Sequence, residues 1–118
     1  MKIEALDPPR KYSVRSVEIR HCGNIRLEPD EQVTFTTASG REYDVTKKSW
    51  GFFATPSVNG RLKIFGYRTA VVRDPSGKRF VCLVETEKEA EFRRYLEEDN
   101  TGVEYWLSDD RDPSFGKD

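Results

Sequence analysis

A chain of 118 residues has room for one hydrophobic core, so any site must share residues with the scaffold. Hydrophobic residues make up 36%, charged residues 35% and aromatics 12%, the balance of a folded, highly soluble domain whose core is made of few but large side chains. Twenty Lys and Arg against 21 Asp and Glu give a net charge of -1, which excludes a global attraction to nucleic acid or an anionic membrane.

The local distribution is uneven. Residues 41 to 79 hold nine Lys or Arg against three acids, and residues 85 to 112 hold eleven acids against four bases. The molecule is expected to be electrostatically two-sided unless the fold interleaves the two segments. No apolar run reaches the length of a membrane span, and the start, MKIEALDPPRK, lacks the apolar stretch of a secretory signal, so the expected location is the cytoplasm. There Cys22 and Cys82 are expected as free, mostly buried thiols.

In chain order, residues 1 to 11, with Asp7-Pro8-Pro9, read as an extended arm, residues 12 to 108 as a single domain, and residues 109 to 118 as a polar tail. KYSVRSVEIR alternates like a strand with a phase break at Arg15-Ser16, where a bulge or bend is expected. RHCGN reads as a strand end running into a Gly23-Asn24 turn. EQVTFTTASGREYDV is a hairpin, with Val33 and Phe35 on a buried face and Thr34 and Thr36 on a solvated one.

Asn59-Gly60 predicts a tight turn into an extended segment in which Leu62 and Ile64 alternate with Arg61 and Lys63 as far as Gly66. TAVVR and KRFVCLVE form a second hairpin around Asp74-Pro75-Ser76-Gly77. Thr86-Glu87-Lys88-Glu89 has the spacing of a capping box, so a helix is expected over about 87 to 98, with a Glu89–Arg93 ion pair. VEYWL reads as a last strand with Val103, Tyr105 and Leu107 on one side and Trp106 on the other. The fold class is α+β: a mostly antiparallel sheet of about five to seven strands, one late helix packed on it, and a short final strand.

Few residues are arranged for chemistry. His21 and Cys22 are adjacent, but neighbours on a strand point to opposite faces, which argues against a thiol–imidazole pair. Cys82, inside the apolar run FVCLV, is expected to have a raised thiol pKa. One His and two Cys make no closed zinc site, and Asp109, Asp110 and Asp112 lack the glycine and distal glutamate of a calcium loop. Ser76-Gly77-Lys78 lacks the earlier glycine of a phosphate loop. No metal or other cofactor is expected.

The richest stretch is KKSWGFFATPSVNGRLKIFGYRT, residues 47 to 69. Within it Lys48-Ser49-Trp50-Gly51-Phe52-Phe53 resembles the aromatic strand motif of RNA-recognition and cold-shock domains, although no helix stands between the first and second strands as an RNA-recognition domain requires. Alternatively, these aromatics fill the core under a loop closed by Pro56 and Asn59-Gly60. Phe52 and Phe53 cannot share one side of a regular strand, and Trp50 is expected on the side of Phe52.

Over WGFFATPSVNGRL, FGYRTAVVR, FVCLVE and the Glu-rich helix ending in Tyr95-Leu96, the chain resembles a group of small single-domain bacterial proteins without an established activity. The resemblance implies a stand-alone bacterial domain. Its association with surface-polysaccharide genes would make an anionic sugar or a biosynthetic enzyme the partner.

The expected function is that of a non-catalytic binding or accessory module. It would recognise a protein partner or an anionic ligand through Trp50, Phe52, Arg61 and Arg68, with Lys48 and Asn59 in support. A homodimer is a variant of this reading, because an uncovered sheet face or edge strand pairs with its own copy. The alternatives are single-stranded nucleic-acid binding and a small enzyme acting on a sugar or nucleotide-sugar, with His21 and Glu85 as acid and base.

Overall fold

The computed structural model describes residues 1 to 109. Among them eight strands and one principal helix make an α+β protein. The strands are β1 (Lys2–Val14), β2 (Val17–Arg26), β3 (Gln32–Thr36), β4 (Glu42–Lys48), β5 (Gly51–Ala54), β6 (Tyr67–Arg73), β7 (Arg79–Glu85) and β8 (Gly102–Trp106). The helices are a single turn, α1 (Arg61–Ile64), and α2 (Glu89–Glu97), which follows a 3-10 turn at Thr86–Lys88. The chain divides into two compact units, one made of Met1–Thr34 and Asp44–Ala54, the other of Phe35–Tyr43 and the chain from Thr55 onward. Apart from Asp109, the expected tail lies outside the described residues.

The first unit is led by the β1–β2 hairpin. Residues 1 to 11, expected as an arm, are for the most part its first strand. Arg15, in a left-handed conformation, and Ser16 turn the chain between Val14 and Val17, so the bulge or bend expected at the phase break is a bend, the tip of a hairpin. The ladder is irregular instead between Ala5 and Arg10, the stretch containing Pro8 and Pro9, which have no backbone N–H to contribute. Gly23 lies within β2, with no turn there: a Cβ at this position would stand 2.5 Å from the Glu4 carbonyl oxygen, so only glycine permits this close approach of the two strands. Lys11 and Glu18 form an ion pair across the hairpin at 3.9 Å.

Strand β4 is the centre of a second sheet, ordered β3-β4-β5. The Thr34 hydroxyl donates to Asp44 at 2.6 Å and the Thr46 hydroxyl to Gln32 at 3.0 Å, cross-strand bonds that threonine's short side chain allows. The expected burial is only partly present. Val33 is half-buried, but Phe35, two residues on along the same strand, is 53% exposed.

In the second unit β6 is the middle strand of β7-β6-β8 and the most buried element of the chain. Its Ala70 and Val72 face α2 and make a small core with Leu96, against which Cys82, Phe92, Val103 and Trp106 pack. Val103 and Trp106 therefore share a face, contrary to simple alternation along VEYWL. The register between β6 and β8 slips between Val71 and Val72, and the extra β8 residue, Glu104, re-aims the strand end. In the loop joining β6 to β7, one Asp74 carboxylate oxygen accepts from the Ser76 N–H, the Ser76 hydroxyl and the Lys78 N–H.

Two local expectations are corrected. Residues 61 to 64 form a helical turn, with the Ser57 hydroxyl accepting from the Arg61 N–H at 2.9 Å, and α1 packs on β6. A helical turn sends residues two apart to different sides, so Leu62 is 1% exposed while Ile64 is 82% exposed. Nor does Thr86 cap a helix. Its hydroxyl donates to the Gly66 carbonyl, Glu89 is turned to Arg68 and Arg93, and the α-helix starts later than expected. The Glu89–Arg93 pair itself is present at 3.1 Å.

The contrast within α1 is testable by urea unfolding. Leu62→Ala should cost about 2–5 kcal/mol, the usual range for emptying a filled core position. Ile64→Ala should stay within about 0.5 kcal/mol. Equal costs would restore the strand reading.

Candidate functional site

The residues expected to act together fall into separate units. Lys48, Trp50 and Phe52 belong to the first, and Asn59, Arg61 and Arg68 to the second.

The β4–β5 hairpin tip carries the first group. Its register pairs Lys48 with Gly51, Lys47 with Phe52 and Thr46 with Phe53, so the two phenylalanines face opposite sides, as alternation requires. Ser49 and Trp50 form the turn, where alternation no longer applies. Trp50 consequently lies against Phe53 and not on the side of Phe52: the two rings meet edge to face at 6.2 Å with an interplanar angle of 85°. Gly51, at φ +149°, supplies a conformation that side chains rarely adopt. The rings do not fill a core. Trp50 is 68% exposed, and Phe52 and Phe53 are also exposed.

The lysines at this tip are engaged within the unit. Lys48 is paired with Asp30 at 2.6 Å, and the Lys47 ammonium donates to the Lys48 carbonyl and lies 5.9 Å from the Phe52 ring centre.

In the second unit Arg68 is a structural clamp. Its guanidinium lies 3.8 Å from the Trp106 ring centre, donates to Glu89 and stands 3.6 Å from Asp109. Arg68 therefore offers little unspent charge to a ligand. Arg61 is exposed, 5.8 Å from the Phe65 ring centre, and Asn59 is exposed in the turn leading to α1.

The most connected polar group on this unit centres on Arg41, which the sequence did not single out. It donates to Glu85 at 2.8 Å, to Glu87 at 2.5 Å and to the Phe65 carbonyl, and lies 5.8 Å from the Tyr67 ring centre. Glu85 also accepts from the Ser39 hydroxyl at 3.0 Å and has Lys88 at 3.5 Å. A shallow depression of about 180 Å³ beside this network is lined by Ser39, Gly40, Arg41, Glu42 and Phe65.

The bonds from Ser39 and then Arg41 hold the Glu85 carboxyl below its ordinary value, Arg41 does the same for Glu87, and Arg68 does so for Glu89. A carboxylate so held is fully ionised near neutrality and a weakened proton acceptor, which counts against Glu85 as either partner in acid–base catalysis with His21.

His21 belongs to the first unit, on a strand face opposite Arg10, and its Nδ1 is buried without a hydrogen-bond partner. Cys22 is exposed, contrary to expectation; it points to the face of β2 opposite to that of His21, whose Nδ1 is buried. Cys82 is half-buried, and burial pushes its thiol up. Among the described residues no group of three or more His, Cys, Asp or Glu is placed to hold a metal ion, and no helix is long and apolar enough to cross a membrane. Comparison with known families, curated proteins and solved structures finds no match.

The carboxylate network fixes a pH dependence. Glu85, Glu87 and Glu89 have lowered folded-state values, so their contribution to stability is present above the ordinary glutamate value of 4.5 and is lost as pH falls through the lowered ones. The urea midpoint of the wild type should fall on that acid side. Arg41→Ala should lower the midpoint at neutral pH and flatten its acid decline; an unchanged acid slope would show that the network contributes nothing.

Proposed function

We propose that the chain is a binding module and that the β4–β5 tip is its recognition surface, with a protein partner as the ligand. The observation that supports this is the Trp50–Phe53 pair, two exposed rings holding each other edge to face on a hairpin end whose backbone is set by Gly51. Large rings with few rotatable bonds give much contact area for little ordering entropy, which is why tryptophan leads the residues that dominate interfaces. Solvent-exposed rings gathered at one tip have no folding role that repays their exposure.

A protein partner is preferred to an anionic ligand because Lys47 and Lys48, the cations nearest the rings, already satisfy a backbone carbonyl and Asp30. The same engagement disfavours single-stranded nucleic acid, whose binding draws most of its affinity from unengaged cations along the phosphate backbone. The module is taken to work in the cytoplasm.

The test is capture of a partner from an extract of the native host. Trp50→Ala, with wild-type circular dichroism, should lose the partner that the wild type holds, and His21→Ala should keep it. The reverse pattern would favour the enzyme reading. A shift of labelled single-stranded RNA by the wild type at low salt, abolished by Trp50→Ala, would replace the protein partner with nucleic acid.

A further inference from the structure

The outer edge of β7 belongs to the second unit and has its own pattern. In the sheet order β7-β6-β8, β7 is paired by β6 alone among the described residues. Its sequence, Arg79-Phe80-Val81-Cys82-Leu83-Val84-Glu85, has five apolar residues in a row with no charge among them. Such an edge is a template for another strand, and the usual protections, an inward charge, a proline or a bulge, are missing.

Its two ends carry opposite charge. An antiparallel copy of β7 centred on Cys82 brings Arg79 opposite Glu85, Phe80 opposite Val84 and Val81 opposite Leu83, each pair twice about a two-fold axis. Any shift of register by two residues sets charge against an apolar position.

The shape follows the same symmetry. Phe80 pairs with Val72 and Val84 with Arg68 across β6, so both point to the face that carries α2. Beside Val84 on that face is a groove of about 280 Å³, with Val84 and Leu83 from β7 and Phe92 and Tyr95 from α2 as its apolar walls and Glu85, Lys88 and Glu91 also lining it. At the opposite end of the strand Phe80 is 51% exposed and Val81 65% exposed. One end therefore carries an exposed ring and the other a groove with apolar walls large enough to take one.

We infer that β7 is a homodimer interface: two copies pair antiparallel about Cys82, and Phe80 of each fills the groove between Val84 and α2 of the other. The four charges then form two alternating chains, Glu104–Arg79 of one copy continuing into Glu85–Arg41 of the second, extending ion pairs already present at 2.5 Å and 2.8 Å. Glu85 keeps 18% of its side chain exposed and Arg79 55%, so the longer, more mobile arginine makes the reach.

Sedimentation across micromolar to millimolar concentration tests this. The wild type should pass reversibly to twice the chain mass, while Val81→Glu and Phe80→Ala, both changes at exposed positions, should remain monomeric at every concentration. Arg79→Glu and Glu85→Arg should each be monomeric alone, yet their mixture should form a heterodimer, because both cross-strand pairs then become Glu against Arg. A wild type monomeric throughout, or dimerisation unaffected by Val81→Glu, overturns the inference. So does failure of the mixture to associate when both variants are folded. If Glu85→Arg unfolds through loss of its Arg41 bond, the Val81→Glu comparison decides alone. Trp50→Ala should dimerise like the wild type, which separates this result from the fate of the recognition tip.

Discussion

Arginine pairing across distant parts of the sequence is the constraint on which the second unit depends. Arg41 precedes Glu85 and Glu87 by more than forty positions, Arg68 stands twenty-one before Glu89, and Arg79 twenty-five before Glu104. Each joins the basic stretch of the chain to the acidic one. The hydrophobic cluster they surround is small, Ala70, Val72 and Leu96 with half-buried neighbours, so much of what fixes α2 and β7 is the planar guanidinium fork and the ring it covers. Half-buried pairs such as Arg41–Glu85 are screened less than fully exposed ones. Part of the charge that the sequence divides between a basic and an acidic stretch is thus paired within the second unit.

That pairing shapes the choice of site. Arginines are attractive candidates for recognition when read along a chain, since they bind anions and stack on rings. Arg68 does both, within its own unit: Trp106 supplies the ring, and Glu89 and Asp109 the anions. The rings of the β4–β5 tip are different, because Trp50 and Phe53 are each other's partners and still present most of Trp50 to solvent.

Hairpins were the most legible elements. The continuous apolar runs in TAVVR and KRFVCLVE, with turn formers between them, located β6 and β7, and the capping-box spacing with the ion pair from Glu89 to Arg93 located α2 to within a turn. Alternation failed wherever the backbone departed from a plain strand. Leu62 and Ile64 have strand spacing but belong to a helical turn held by Ser57, and Val103 and Trp106 meet on one face because of a bulge at Glu104. Thr86 and Glu89 have capping-box spacing, yet each finds a long-range partner that local rules do not contain. The candidate site was legible by composition only. Trp50 and Phe52 stood out as aromatics among cations, whereas the edge-to-face contact of Trp50 with Phe53 depends on where the turn falls. Arg41, between two ordinary strands, gave no sign of its role.

The two tryptophans are distributed one to each unit, in contrasting surroundings. Trp50 stands in water at a hairpin tip; Trp106 is half-buried under a guanidinium and beside Phe92, whose ring centre is 6.2 Å away. Their emission is accordingly separable, a red-shifted, iodide-quenchable component from the first unit and a bluer, shielded one from the second. A single optical titration thereby follows both units without labels and records whether they melt together or in turn.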